Sequence, residues 1–215
     1  MEKTTQFQQN AGVFTVNGKR LGQLERVVLD PATKFITHIV VSYGGLMDKD
    51  QRVVPIALVA ETTENQIALR AETADLDELP AFETPHYVPK TEQPPAPAEV
   101  VPNPPYGMPM MAVPLPLDPL PEEVVVTQID RNIPEGTVAM KEGARVVTSD
   151  GKEAGEVERI VADSHLGQVT YLLITSGLIP AKRLIPVKWV TQISEDEVHL
   201  TVEEAALEEL DLVTD

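Results

Sequence analysis

Four histidines carry the widest range of chemistry in this 215-residue sequence, because imidazole can act as a general base, a proton carrier or a metal ligand. They are His38, His86, His165 and His199, and no two of them are two or four residues apart. Such spacings would place two imidazoles on one face of a strand or helix, as a metal site requires. We therefore predict no metal site, no catalytic histidine and no cofactor.

Two acidic–basic pairs recur in the sequence, Glu25-Arg26 and Glu158-Arg159. Neighbouring residues of a strand point to opposite faces, so the two members of a pair cannot contact each other. Each pair therefore belongs either to an interaction surface or to a salt bridge with another strand. Asp30 and Asp163 are better explained as turn caps than as general bases, because acid–base catalysis would need two carboxylates in one site.

The common catalytic and phosphate-binding motifs are missing from the sequence, including the P-loop, the nucleophile elbow and the zinc-protease motif. There is no cysteine either, which excludes disulfides, thiolate metal sites and a cysteine nucleophile. We therefore predict that the protein is not an enzyme.

The formal net charge of −17 argues against direct binding of nucleic acid, which rewards a basic surface. The first ten residues have no apolar core of a signal peptide, and the apolar segment from Met108 to Leu120 is interrupted by four prolines. We expect a cytoplasmic protein without a transmembrane segment, although peripheral association with a membrane stays open.

An internal repeat organises the chain. Residues 13–42 align with residues 146–175 at a shift of 133, and ten of the aligned pairs are identical. After a loop that differs by two residues, the alignment continues at a shift of 131. Between the copies, residues 91–136 hold twelve of the nineteen prolines, which favours an extended spacer or a ligand for a proline-recognising domain. The predicted units are a first domain (1–88), a proline-rich disordered linker (89–136) and a second domain (137–215).

Each copy has the pattern of a small all-β domain. Asn17-Gly18 and Asp150-Gly151 predict type I′ hairpin turns, and Gly22 and Gly155 predict a bulge or sharp coil in the following strand. A continuous apolar strand follows, and then a strand that ends at a proline, Pro55 or Pro186. A short helix closes each copy. With fewer than 90 residues per copy, we expect the copies to pack on each other or on a second chain.

The conserved order of these features resembles the PRC-barrel domain. In the first copy it is carried by residues 13–30, by Val53-Val54-Pro55 and by Val59, and in the second by residues 146–163, by Leu184-Ile185-Pro186 and by Val190. The family includes the cytoplasmic barrel of the photosynthetic reaction-centre H subunit and the barrel of a ribosome-maturation factor. The resemblance implies a small β-barrel that binds other proteins, so we predict two such barrels joined by the linker.

Three functions remain open. The first is a scaffold whose two barrels bind protein partners, with the linker either setting their separation or lying across them. The second, by analogy with the H subunit, is a membrane-associated accessory of electron transport or photosynthesis. The third is a ribosome-assembly factor that binds basic ribosomal proteins. For the first, Glu25, Arg26, Glu158 and Arg159 are the candidate interaction residues, and the two barrels pair within the chain or as a homodimer.

Overall fold

The computed structural model describes residues 4–8, 10–45, 48–63, 65–70, 76–89, 125–141, 143–164, 167–177 and 181–213. The chain divides into two compact units. One unit combines Met1–Thr84 with Arg131–Asp215 and contains both copies of the repeat. The other is Pro85–Asp130, and within it the structure describes most of strands β8 (Glu83–Pro89) and β9 (Val125–Arg131), which form a separate two-stranded sheet.

Both copies are built almost entirely from strands, as predicted. The first contains β1 (Thr4–Gln8), β2 (Gly12–Thr15), β3 (Arg20–Leu29), β4 (Ile36–Gly45), β5 (Asp48–Pro55), β6 (Val59–Thr62) and β7 (Gln66–Leu69), with short 3₁₀ turns at Ile56–Leu58 and Leu76–Glu78. The second contains β10 (Val138–Lys141), β11 (Arg145–Val147), β12 (Glu153–Asp163), β13 (Val169–Ser176), β14 (Ala181–Pro186), a 3₁₀ turn at Val187–Trp189, β15 (Val190–Ile193), β16 (Glu197–Leu200) and helix α1 (Glu204–Glu208).

The two seven-stranded sheets have the same topology. The first runs in the order β5-β4-β3-β2-β7-β6, and the second in the order β14-β13-β12-β11-β16-β15. Strand β4 of the first sheet and strand β13 of the second are long, and their inner-facing side chains are apolar. Many of these side chains are β-branched, which suits a pleated, buried surface. The agreement of strand order across both copies confirms the internal duplication.

The seventh strand of each sheet comes from the other copy. Strand β1 pairs antiparallel with β12, where Phe7 faces Ile160, and β10 pairs antiparallel with β3, where Met140 faces Val27. Phe7 and Met140 occupy equivalent positions of the repeat, so the exchange is reciprocal. The two barrels therefore complete each other within one chain, which is the intrachain pairing that the small size of each copy required.

A left-handed residue at the end of each exchanged strand directs it away from its own barrel. Asn10 has a φ of 56° and its counterpart Gly143 a φ of 71°. Asparagine and glycine are the residues that adopt this conformation at the lowest cost. We infer from the matching positions of the two residues that the kink favours exchange over pairing within one copy.

The loop between β3 and β4 and its counterpart between β12 and β13 meet at a pseudo-two-fold axis. Phe35 and Gln168, which are equivalent positions, form an isolated antiparallel bridge with each other. On either side, the Ile36 amide donates to the Gly167 carbonyl and the Val169 amide donates to the Lys34 carbonyl, both at 2.9 Å. Such reciprocal contacts are typical of a symmetric dimer interface.

One hydrophobic core runs through both barrels. It joins residues of the first sheet, such as Val27 and Ile39, with residues of the second, such as Ile160 and Leu172, and all four are at most 4% exposed. Phe7 and Met140 lie in this core and link its halves. The separation of the barrels is therefore set by this packing, and the expectation that the linker sets it is wrong.

The hairpin turns at Gly18 and Gly151 differ from the predicted type. A type I′ turn needs a positive φ at both central residues, yet of the two turn residues only the glycine has one, 81° at Gly18 and 79° at Gly151. The Gly18 amide donates to the Thr15 carbonyl, and the Thr15 amide donates to the Lys19 carbonyl. The loop thus has three residues and closes with a left-handed glycine, and Thr148 to Lys152 repeat it.

Three further pairs of candidate fold-defining residues lie at strand contacts, strand ends and turns. Gly22 and Gly155 sit where their strands press against the next strand, so that a Cβ would collide with the carbonyl oxygen of Ser42 or Thr175. Pro55 and Pro186 each end a strand and precede a 3₁₀ turn. Among the caps, the Asp30 carboxylate accepts hydrogen bonds from the amides of Ala32 and Thr33, which lowers the pKa of Asp30 below its ordinary value.

Part of the segment assigned to the linker forms strands. Residues 125–131 contain no proline and carry β-branched side chains, so they can form β9, which pairs with β8. Residues 90–124, where most of the prolines stand, lie outside the described residues. The predicted domain boundaries of 1–88, 89–136 and 137–215 stay predictions.

Candidate functional site

The two histidines whose side chains the structure describes, His38 and His199, lie on strands of different sheets. His38 lies on β4 and its half-buried position lowers its pKa, whereas His199 lies on β16 with its Nε2 3.5 Å from Glu197 Oε2. The side chain of His86 and all of His165 lie outside the described residues. Within the described part of the chain, no group of three or more metal-binding side chains is close enough to hold an ion.

Arg26, one of the predicted interaction residues, forms a salt bridge between the two copies. Its guanidinium donates to Glu195, which lies in the turn between β15 and β16, and Arg131 Nη1 reaches the same carboxylate at 2.6 Å. Lys141 of the exchanged strand β10 binds the neighbouring Asp196 at 2.9 Å. These ion pairs therefore connect the β15–β16 turn of the second barrel to the sheet of the first barrel.

An aromatic ring completes this cluster. Phe82 is fully buried, and the guanidinium carbons of Arg26 and Arg131 lie 5.0 and 5.9 Å from its ring centre, within reach of a cation–π contact. Burial alone would raise the pKa of Glu195, but the hydrogen bond from Arg26 and the charges of both arginines hold it below its ordinary value. Glu195 is thus an anion under neutral conditions, held in a largely desolvated network.

The equivalent residues of the second copy have different partners. Arg159 donates to the side-chain oxygens of Gln6 and Gln8 on the exchanged strand β1, at 2.7 and 2.8 Å. Glu158 accepts a hydrogen bond from Thr175 and lies 3.0 Å from Lys182 on β14. Burial would raise the pKa of Glu158, and these two partners lower it overall. For Arg26, Glu158 and Arg159, the geometry therefore matches contacts that hold the fold together.

The Glu158–Lys182 ion pair has no counterpart at Glu25, since the position that corresponds to Lys182 is Gln51 in the first copy. Sequence reasoning missed Glu195, Phe82 and Arg131. Glu195 lies in a turn, Phe82 follows the predicted helix, and Arg131 stands in the predicted linker, so no periodic pattern marked them. Of the residues predicted from the sequence, Arg26 was the one that indicated this cluster around Glu195.

The outer face of the first sheet is covered by the chain itself. Val28, Val40 and Val53 form a second apolar cluster on this face, and Phe82 and Ile133 pack onto it. The Asn132 amide nitrogen of the side chain donates to the Ala81 carbonyl and to Thr84 Oγ1, at 2.7 and 2.8 Å. Two segments of the chain, around residues 82 and 133, thus cover this face of the first sheet.

The outer face of the second sheet is more open. We define it by Tyr171 and Leu184, whose counterparts in the first copy are His38 and Val53. Tyr171 is 44% exposed, and Leu184 is half-buried. The residue that corresponds to Phe82 is Val213, a smaller side chain, and its amide donates to the Lys182 carbonyl as that of Phe82 does to Gln51. The equivalent face is therefore only partly covered here.

The helices that the structure describes are too short to cross a membrane. A family model described as the PRC-barrel domain matches the chain twice, at residues 9–74 and 142–208. Together these matches cover more than half of the sequence. A comparison with curated proteins gives no match.

Proposed function

Because the chain belongs to the PRC-barrel family and carries the domain twice, we propose that it is a non-enzymatic, cytoplasmic protein-interaction module. The observation that carries this proposal is the unequal covering of the two outer faces. In the first barrel, this face packs against two segments of the protein's own chain, so it is suited to bind extended polypeptide. In the second barrel, the equivalent face is only partly covered, and Tyr171 on it is 44% exposed.

The chemistry of the open face favours a protein partner. An exposed tyrosine offers a large contact area, and tyrosine is enriched among the residues that dominate the energy of protein interfaces. Lys182 on the adjacent strand β14 is paired with Glu158, so a partner segment with apolar side chains fits the outer face best. The two barrels form one body, and the scaffold therefore presents this face in a fixed orientation to the rest of the pair.

Affinity capture with matched variants tests the proposal. Full-length protein, the variant Tyr171→Ser and the control Val16→Ser are used as baits in lysate of the host. Val16 is 51% exposed but lies in the hairpin turn of the first barrel. We expect the same partners with the wild type and Val16→Ser and loss of them with Tyr171→Ser. Equal capture by all three baits would refute the outer face as the binding surface.

The identity of the captured proteins also decides between the alternatives. Ribosomal proteins, together with co-migration with ribosomal particles in a sucrose gradient, would favour the ribosome-assembly function. Components of electron transport, together with retention in washed membranes, would favour the membrane accessory.

A further inference from the structure

A cavity of about 310 Å³ lies in the second barrel beside helix α1. We call it the Ser176 pocket. Its lining includes the side chains of Ala154 and Leu207, which are 8% and 4% exposed, together with Ser176 and Arg183. The volume exceeds the roughly 150 Å³ that accommodates a benzene ring and lies at the lower end of the range of ligand pockets. The pocket is therefore large enough for one aromatic side chain.

The first barrel carries larger side chains at the positions that line this pocket. Ser176 corresponds to Tyr43 and Ala154 corresponds to Leu21, both at the shift of 133. Tyr43 and Leu21 are packed against the shared hydrophobic core. In the second barrel, two large side chains are thus replaced by two small ones, and the space that becomes available is that of an aromatic ring and an aliphatic side chain.

The arginine that lines the pocket has a hydrogen-bond donor without an acceptor. In the first barrel, Arg52 Nε donates to the Tyr43 hydroxyl at 3.3 Å, and the guanidinium carbon lies 6.0 Å from the centre of the tyrosine ring. The equivalent Arg183 donates from Nη1 to Ser176 Oγ at 3.1 Å. Its Nε is buried and has no acceptor among the described residues. A ligand oxygen that accepted this hydrogen bond would offset the desolvation of the donor.

Charge around the pocket favours a neutral ligand over an anionic one. Three carboxylates line it, those of Glu153, Glu204 and Glu208, and Glu204 is held by Lys152 at 2.8 Å. An anion that approached Arg183 would meet the other two carboxylates, which are exposed. A phenol hydroxyl is neutral at pH 7, since its pKa is about 10, and it can still accept a hydrogen bond.

From the equivalence with Tyr43, the unpaired Arg183 Nε and the size of the cavity, we propose that the Ser176 pocket binds a tyrosine side chain of a protein partner. The ring takes the place that Tyr43 occupies in the first barrel, and its hydroxyl oxygen accepts the hydrogen bond from Arg183 Nε. A tyrosine carried by a polypeptide is the occupant because the first barrel fills the equivalent space in that way. The inference rests on the proposed protein-interaction function and adds a second surface to it, since Tyr171 lies on the opposite face of the sheet.

An NMR titration of the full-length ¹⁵N-labelled protein tests the pocket directly. The probe is the blocked peptide acetyl-Gly-Ser-Tyr-Ser-Gly-amide. We expect saturable shift changes at the amides of Ala154, Ser176, Arg183 and Leu207. The same peptide with phenylalanine in place of tyrosine should bind about tenfold more weakly, since it leaves the arginine donor unpaired. The peptide with alanine at that place should cause no shift changes, and p-cresol should bind more weakly than the tyrosine peptide.

Three protein variants separate binding in the pocket from effects on the fold. Ser176→Tyr copies the first barrel and should fill the pocket, so it should abolish the shift changes. Thr191→Tyr introduces the same side chain at an exposed position of β15 and should leave binding unchanged. Arg183→Met removes the donor and should bind the tyrosine and phenylalanine peptides equally, a result that a merely structural role of this arginine would not produce. Circular dichroism checks that each variant is folded.

The proposal is overturned if none of these amides responds at millimolar peptide, or if folded Ser176→Tyr binds as the wild type does. Equal affinity of the wild type for the tyrosine and phenylalanine peptides would remove the role of Arg183 Nε. If p-cresol binds as tightly as the peptide, the pocket takes free phenols rather than a protein partner. None of these results depends on Tyr171, so failure of the capture experiment and failure of the pocket are distinguishable.

Discussion

At the scale of single residues, the most informative feature is the network around Glu195. A carboxylate of the second barrel holds two arginines, one from the sheet of the first barrel and one from the segment that covers it. Because Glu195 is only 19% exposed and Arg26 only 11%, replacing Glu195 leaves the guanidinium of Arg26 largely desolvated and without this carboxylate. The network should therefore contribute both to stability and to its dependence on pH.

The first prediction concerns Glu195→Gln. We expect a loss of about 2 kcal/mol in the free energy of unfolding at pH 7, since a hydrogen-bonded charge becomes a neutral amide. The pKa of Glu195 is lowered by folding, so its contribution is present above the ordinary carboxyl pKa of 4.5 and is lost as pH falls through the lower folded-state value. Urea unfolding at pH 7 and in steps below pH 4.5 should show the two proteins converging.

Glu135→Gln is the matched control for this prediction. Glu135 is exposed in the turn before β10, so its substitution should change stability by less than about 0.5 kcal/mol. A difference between wild type and Glu195→Gln that stayed constant down to strongly acidic pH would contradict the electrostatic explanation.

The second prediction contrasts two glycines of the first barrel. An added Cβ at Gly22 would collide with the Ser42 backbone, whereas nothing lies within 4 Å of one at Gly18, where only the φ of 81° is unfavourable. We therefore expect Gly22→Ala to cost about 3 kcal/mol, through displacement of packed strands, and Gly18→Ala about 1 kcal/mol. Thermal and urea unfolding measure both, and equal costs would show that packing at Gly22 adjusts freely.

At the scale of elements, the exchanged strands determine how the barrels are joined. Each is only four or five residues long, and each buries one large side chain, Phe7 or Met140, in the shared core. The kinks at Asn10 and Gly143 decide which sheet the strand enters. A change at the kink therefore acts on the connection between barrels without removing any contact within them.

The third prediction is for Gly143→Val. A Cβ there would meet only the end of the Glu156 side chain, at 3.9 Å, so the cost is conformational rather than steric. A β-branched residue is strongly disfavoured at a φ of 71°, and we expect a loss of about 2 kcal/mol. Asn10→Gly should be tolerated within about 0.5 kcal/mol. Urea unfolding of both variants checks this, and an unperturbed Gly143→Val would show that the kink does not select the exchange.

At the scale of the whole molecule, the shared core makes the two barrels one cooperative unit. Each sheet lacks a strand without the other copy, and residues of both copies lie in a single hydrophobic cluster. The chain should therefore unfold in one transition rather than two. The contacts across the pseudo-two-fold axis are made by residues of the two copies themselves. Separately produced halves should therefore still make these contacts.

The fourth prediction is that residues 1–88 and 137–215, produced together as separate chains, form a one-to-one complex. The exchanged strands β1 and β10 lie within these halves, so the complex needs no covalent connection. Size-exclusion chromatography with light scattering measures the stoichiometry. Phe7→Ala, which removes a core side chain at a cost of about 4 kcal/mol, should weaken the complex strongly. If the two halves did not copurify, the shared core would be refuted.

Sequence reasoning reached the strands, the duplication and the family, because alternating patterns and glycine positions are local signals. It did not reach the exchange. The sequence of residues 4–8 is compatible with pairing to β3 or to β12. The left-handed conformation of Asn10 distinguishes the two arrangements, and asparagine adopts this conformation in a minority of cases. The Arg26–Glu195 contact was equally hidden, since its partners are 169 positions apart and belong to different copies.

The bridge between Phe35 and Gln168 has an evolutionary consequence. In a homodimer of single barrels, the residue at this axis would face its own copy, and every mutation there would be introduced twice. Joining two barrels in one gene removes that constraint, so that an aromatic ring now faces an amide. Equivalent positions such as Thr62 and Ile193, or His38 and Tyr171, also differ. A single chain that carries both barrels can therefore specialise its two sides separately.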